Sequence, residues 1–213
     1  MPTWHTPRIR SVYNAIATYA PQRRCPVGRA LQRGVTMAEL VIVMLIVAII
    51  TAIGVPLYRH VTTDNRMSTE VNALLGDLEY ARSEAVREGR TVTVCVAGNV
   101  TSPYSCAPSG VNTWQDGWIV FVDVNDNQTI ASDQDVLRVH EPFTSGDTFD
   151  ANYGVGSVSF NRDGFAYTGE ANVTITLTNS SNDAVFTRCL LLSQSGMMTT
   201  ALHQTDPTDC PGT

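Results

Sequence analysis

"RGVTMAELVIVMLIVAIITAIGVPLYRH", residues 33–60, holds an apolar run with one carboxylate, Glu39, just inside its start and no further charge until Arg59. Residues 40–58 carry no charged side chain. At about 1.5 Å per residue they make a helix of roughly 28 Å, close to the roughly 30 Å of a bilayer core. The spacing therefore predicts a transmembrane helix over residues 35–58. A secretory signal would be shorter and end at a small-residue cleavage site, whereas this run continues into a charged helical segment.

Charge divides the chain at Gly34. Six arginines precede it and eight follow, there is no lysine, and all twenty acidic residues follow. The net charge is −6 overall, and eight cations against twenty anions leave −12 beyond Gly34. By the positive-inside rule the arginines hold the N-terminus in the cytoplasm and the acidic remainder crosses the inner membrane to the periplasm or beyond. Cys25 then lies on the reducing side as a free thiol, while Cys95, Cys106, Cys189 and Cys210 form an even set on the oxidising side. Four cysteines allow three pairings. The sequence-local one, Cys95 with Cys106 and Cys189 with Cys210, is favoured, the second stapling the tail onto a strand.

Residues 1–34 are basic and without an apolar face, and read as a leader; a start near Val27 would shorten it to a few residues. Residues 59–88 continue the helix in amphipathic form, with Val71, Leu74, Leu75, Leu78, Ala81 and Ala85 on one stripe and charged residues over much of the rest. Gly89 is the expected terminator. The two halves together would make a helix of about 80 Å, bent near Gly54 and Pro56. Beyond Gly89 the period changes to two. The runs 90–98, 117–124, 136–141, 156–169, 172–179 and 184–196 read as strands punctuated by Gly, Asn and Asp. The expected fold is α+β: a long N-terminal helix, half transmembrane and half amphipathic, packed on one antiparallel sheet in a β domain over residues 89–213.

Glu39 stands about one helical turn after Val35. A carboxylate alone in lipid costs about 2.5–3.5 kcal/mol on insertion scales. Cleavage between Gly34 and Val35 would create an α-amino cation to pair with it, in the same chain or a neighbour. Glu39 would then fix the axial offset at which apolar helices bundle.

"RG" followed by "VTMAELVIVMLIVAIITAIGVPLY" resembles the class III signal and N-terminal helix of type IV pilins and type II secretion pseudopilins. That resemblance implies a pilin-like fold, cleavage after Gly34 by a prepilin peptidase and N-methylation of Val35, where the family usually carries phenylalanine. "LLGDLEYARSEAVREGRTVTVC", "DGWIVFVDVNDN", "VLRVHE" and "VSFNRDGFA" are similar to the GspH/FimT group of minor pilins, over roughly residues 33–196. The implied role is to initiate or cap a type IV pilus, or to act as a GspH-like minor pseudopilin in type II secretion. The implied partners are prepilin peptidase, other pilins or pseudopilins, and the inner membrane. Some FimT-like members bind DNA for uptake through Gly-Arg-x-Arg near the C-terminus. Here the corresponding place reads Ser195-Gly196-Met197-Met198, and the charge of −12 opposes phosphate binding. A local patch of Arg138, Arg162 and Arg188 is the remaining route to nucleic acid.

"DVNDNQTIASDQD", residues 123–135, places Asp123, Asn125 and Asn127 like the start of a calcium loop, but Gln128 replaces the expected glycine and Gln134 the bidentate glutamate. An Asn/Asp-rich turn is the preferred reading. Trp114 and Trp118 are read as core in preference to an exposed sugar- or partner-binding patch. His60, His140 and His203 are isolated, no nucleophile, zinc or redox motif occurs, and no cofactor is expected. The chain reads as a non-enzyme. Gly34→Leu should leave a membrane-held precursor that migrates above the processed wild-type chain on a denaturing gel.

Overall fold

The computed structural model describes residues 34–202 and 210. The proposed leader, with Cys25 and Val27, and His203 lie outside the described residues. By Cα proximity the chain falls into two units, Met1–Val47 and Ala48–Thr213. Within the first, Thr36 caps the start of helix α1 (Met37–Glu88): its Oγ1 accepts the Glu39 N–H at 3.2 Å, satisfying one of the free donors of the first turn. The assignment of α1 continues through Gly54 and Pro56 without interruption. Its end is the predicted one. Gly89 takes φ 68°, and the N–H groups of Gly89 and Arg90 both reach the Ala85 carbonyl, at 2.9 and 3.3 Å.

In the second unit the amphipathic part of α1 buries Met67, Val71, Leu74, Leu78, Ala81 and Ala85, spaced alternately by four and three residues. Leu75, beside that stripe, is partly buried against it. The strands form two antiparallel sheets, not the single one expected. The first comprises β1 (Val92–Asn99), β2 (Ser105–Cys106), β3 (Trp118–Val122), β4 (Val136–His140), β6 (Ser157–Phe160) and β7 (Ala166–Tyr167), in the order β4-β3-β1-β6-β7 with β2 also on β1. The second comprises β5 (Thr148–Ala151), β8 (Asn172–Thr178), β9 (Arg188–Ser193) and β10 (Met198–Leu202), in the order β10-β9-β8-β5. Residues 184–186, expected to begin a strand, form a 3-10 turn capped by the Asp183 side chain. The carboxylate offers the Val185 N–H a local acceptor, which competes with a ladder bond. Strands β2, β5 and β10 were not anticipated, because two lack length and β10 lacks a clean alternation.

One core joins the α1 stripe to both sheets. Val92, Val94 and Val96 of β1, Trp118 and Val120 of β3, and Val158 and Phe160 of β6 meet it from the first sheet; Phe149, Val173, Ile175, Leu177, Leu190 and Leu192 meet it from the second. Register follows: Val94 lies opposite both Val120 and Val158. The alternation in β1 predicted a half-buried strand, yet Val92 to Ala97 are all buried. The reason is a second, smaller cluster on the opposite face, where Cys95, Ala97, Ile119 and Phe121 are covered by Tyr104, Cys106 and Ile130 from the following loops. A Cys95–Cys106 disulfide closes that cover, and Cys189–Cys210 ties the tail to β9, the two sequence-local pairs. Leu78, fully buried, sets a test of this core. Leu78→Ala should lower the unfolding free energy by about 2–5 kcal/mol, and Glu79→Ala, on the exposed face, by about 0.5 kcal/mol or less, as read from denaturant unfolding.

Candidate functional site

In the first unit, Val35 is 71% exposed, Met37 and Leu40 to Ile46 are exposed as well, and the Glu39 carboxylate has no partner among the described residues. Gly34 lies in extended chain with open space where a Cβ would stand. Nothing in the chain's own packing demands glycine there. The second unit's share of the apolar run is exposed too, through Ile49, Ile50, Ile53, Val55 and Leu57 to Tyr58 and Val61. By length and composition α1 can cross a membrane, and its most apolar stretch is wholly unburied. The hydroxyls in and beside that stretch turn inward: Thr51 donates to the Ala48 carbonyl at 3.0 Å, and Thr62 to those of Tyr58 and Arg59, both at 3.0 Å. Such back-bonding satisfies a polar group where no water is available. This surface can associate with lipid or with other apolar helices.

Further along α1, polar side chains hold the sheets to the helix. The Trp118 indole N–H donates to Asp77 Oδ2 and Arg138 donates to Asp77 Oδ1, each at 2.9 Å, and the Arg138 guanidinium lies 3.6 Å from the centre of the Tyr80 ring. His140 stacks on Trp118 with centroids 3.9 Å apart. Arg188, almost buried, pairs with Asp64. Arg82 Nε donates to the Gly164 carbonyl at 2.9 Å. The turn at Gly196 closes against this contact, since a Cβ there would meet the Gly164 carbonyl at 2.2 Å. Thus the Ser195-Gly196-Met197-Met198 segment is a packed turn before β10.

The arginines and tryptophans are consequently structural. Trp114 and Trp118 are fully buried, and the Trp114 indole donates to the Val155 carbonyl at 3.0 Å. Of the considered patch, Arg138 and Arg188 are spent on carboxylates, while Arg162 is exposed. Asp123 of the calcium-like loop is buried. Its Oδ1 accepts the Asn127 N–H at 3.1 Å and its Oδ2 accepts the Gln128 N–H at 2.7 Å and the Thr93 hydroxyl at 3.2 Å. Asn127 Oδ1 accepts the Thr129 N–H and hydroxyl. The loop is closed by its own side chains, as in an Asx turn. Among the described residues no three His, Cys, Asp or Glu gather as a metal site.

Sequence reasoning placed Arg66 and Glu70 among the charges of the helix and missed what faces them. Arg66 Nε lies 2.9 Å from Asp147 Oδ2, and Asp147, almost fully buried, also accepts the Ser180 N–H at 2.9 Å. Ser145 donates to Glu70 at 3.1 Å. Burial, and then the negative charge of Asp147, push the Glu70 carboxyl up from 4.5 to about 7, against the opposing pull of Ser145 and Arg66.

A family model described as "Type II transport protein GspH" matches residues 70–196. The chain belongs to the GspH family. It is therefore one of the GspH/FimT-type minor pilins and pseudopilins, and the matched stretch runs from the buried stripe of α1 to the Gly196 turn. Two crystal forms of the type IV minor pilin FimU of Pseudomonas aeruginosa are similar to it. One is 23% identical, covering 64% of this chain and 91% of that one with a TM-score of 0.47; the other is 21% identical, covering 68% and 92% with a TM-score of 0.49. No curated protein matches the chain.

Glu70 supplies the pH test of this GspH-family domain. Between pH 4.5 and about 7 the folded state holds a proton at Glu70 that the unfolded state releases, so this group's contribution to stability falls as pH rises through that window and is level above it. Glu70→Gln should match wild type in Tm near pH 4.5 and exceed it increasingly up to pH 7.5, as followed by circular dichroism.

Proposed function

We propose that this GspH-family protein is a minor pilin that helps initiate or cap a type IV pilus, anchored in the inner membrane by residues 35–58. The arginines before Gly34 orient it with the leader in the cytoplasm and residues 59–213 in the periplasm, the last 125 of them as the β domain. Prepilin peptidase would cut after Gly34, a glycine the chain's own packing does not require, and methylate Val35. Other pilins are the assembly partners. The protein performs no reaction itself, and it needs no cofactor.

The observation that carries this reading is the character of α1. Its first half exposes apolar side chains almost continuously around one unpartnered carboxylate, while its second half is committed to the β domain. A monomer in lipid leaves Glu39 uncompensated. In a bundle, the new α-amino group of Val35 in one subunit meets Glu39 of another, and the cost of the carboxylate is offset only at one axial offset. A role as a minor pseudopilin in type II secretion uses the same helix physics. DNA uptake is the weaker reading, because Arg138 and Arg188 are already neutralised by Asp77 and Asp64.

Glu39→Ala should be cleaved like wild type, as seen by mass spectrometry of the mature N-terminus. It should enter sheared filaments about tenfold less, a factor equivalent to roughly 1.4 kcal/mol. Incorporation at the wild-type level would refute the pairing, and a native filament subunit that keeps residues 1–34 would refute the processing.

A further inference from the structure

On the outer side of the smaller hydrophobic cluster lies an open cleft of about 650 Å³, lined among others by Tyr104, Gln128, Thr129, Tyr153, Thr168 and Glu170. Its floor includes the Cys95–Cys106 disulfide. Four described residues other than glycine have positive φ: Asp126, Gln128, Tyr153 and Asn182. Asp and Asn enter the left-handed region with little cost, whereas Gln and Tyr do not. The two costly ones, Gln128 at φ 59° and Tyr153 at φ 55°, both line this cleft. Strain of this kind persists where the surroundings over-determine it, and it concentrates at binding sites.

Both residues are pinned. The Gln128 N–H donates to Asp123, its Nε2 donates to Ser159 Oγ at 3.2 Å, and its Oε1 accepts from Ser157 Oγ at 2.7 Å. One amide N–H and one carbonyl lone pair of that side chain are left for a ligand. Next to Tyr153, Asn152 Oδ1 accepts the Thr174 N–H at 2.9 Å and Gly154 also has positive φ. Tyr153 as a residue is 70% exposed. Glycine at 153 would relieve the backbone and forfeit little packing, so the fold does not account for a tyrosine there.

We propose that this cleft binds a neutral oligosaccharide, one sugar ring stacking on Tyr153 while hydroxyls bond the Gln128 amide and the Glu170 carboxylate. The aromatic face suits the C–H face of a sugar, and the lining of amides, hydroxyls and carbonyls suits a hydroxyl-rich ligand better than a lipid or an apolar helix. Glu170 is the one charged side chain among the lining residues. With −12 carried beyond Gly34, an acidic glycan or a nucleic acid is repelled. Trp114 and Trp118, read as core in preference to such a surface, are buried and take no part in it.

The test is calorimetric titration of the full chain in detergent with maltotetraose, cellotetraose and chitotetraose, and with tetragalacturonate as the acidic comparator. At least one neutral tetramer should bind saturably, and more tightly than the acidic one. Tyr153→Gly should melt no lower than wild type yet weaken that binding by about tenfold or more, whereas Tyr153→Phe, which keeps the ring, should stay within about threefold. Failure of all three neutral tetramers to bind, preference for the acidic one, or wild-type affinity in Tyr153→Gly would each overturn the proposal. None of these outcomes depends on whether the chain enters a filament.

Discussion

Everything in the β domain depends on burying six side chains of one helix, Met67, Val71, Leu74, Leu78, Ala81 and Ala85, which both sheets share as a single core. A sheet with one apolar face needs a cover, and here one stripe covers parts of two. Because the stripe fixes the rotation of α1 about its own axis, the polar neighbours of each stripe residue are carried to definite places. Asp77 arrives under Trp118 and Arg138, Arg82 at the Gly164 carbonyl, and Arg66 at Asp147. These contacts follow from the hydrophobic packing; their role is to select the sliding position at which Asp77, Arg82 and Arg66 meet these partners.

The same helix is built for two solvents. From Met67 onward its apolar side chains are on one face and its charges make internal partners. Before Tyr58 it is apolar all round and exposed all round, with threonine hydroxyls bonded back to the helix's own carbonyls. Glu39 alone breaks that rule. A carboxylate with no partner among the described residues is costly in a segment suited to lipid, and the proposed assembly role gives it one in a neighbouring chain.

The β domain is economical with charge. Arg66, Arg138 and Arg188 are paired with carboxylates and Arg82 with carbonyls, which leaves a surface dominated by anions. Strain is not spread over it evenly. The two non-glycine residues that resist a positive φ, Gln128 and Tyr153, come from separate loops and line one cleft, together with the two cysteines of the Cys95–Cys106 bridge.

Local pattern alone determined the helix and its end, since an uncharged run of membrane length, a stripe at four-three spacing and Gly89 after it are all visible in a linear string. It also marked six period-two runs that hold seven of the strands, and it favoured without deciding them the inward fate of both tryptophans and the sequence-local cysteine pairing among three. Tertiary structure decided what needed residues far apart in the chain. The split into two sheets rests on β5, only four residues long and paired with β8 residues 24 to 30 positions further on, and on β10, whose own sequence alternates poorly. The burial of β1 on both faces rests on a loop folding back over Cys95 and Ala97. Glu70 faces Asp147 because the stripe turns it there, and Tyr153 follows an Asn152 that is held by a neighbouring strand. Periodicity reports which face of an element is apolar, but the partner that covers it, and the polar groups that covering brings together, are set by packing across the chain.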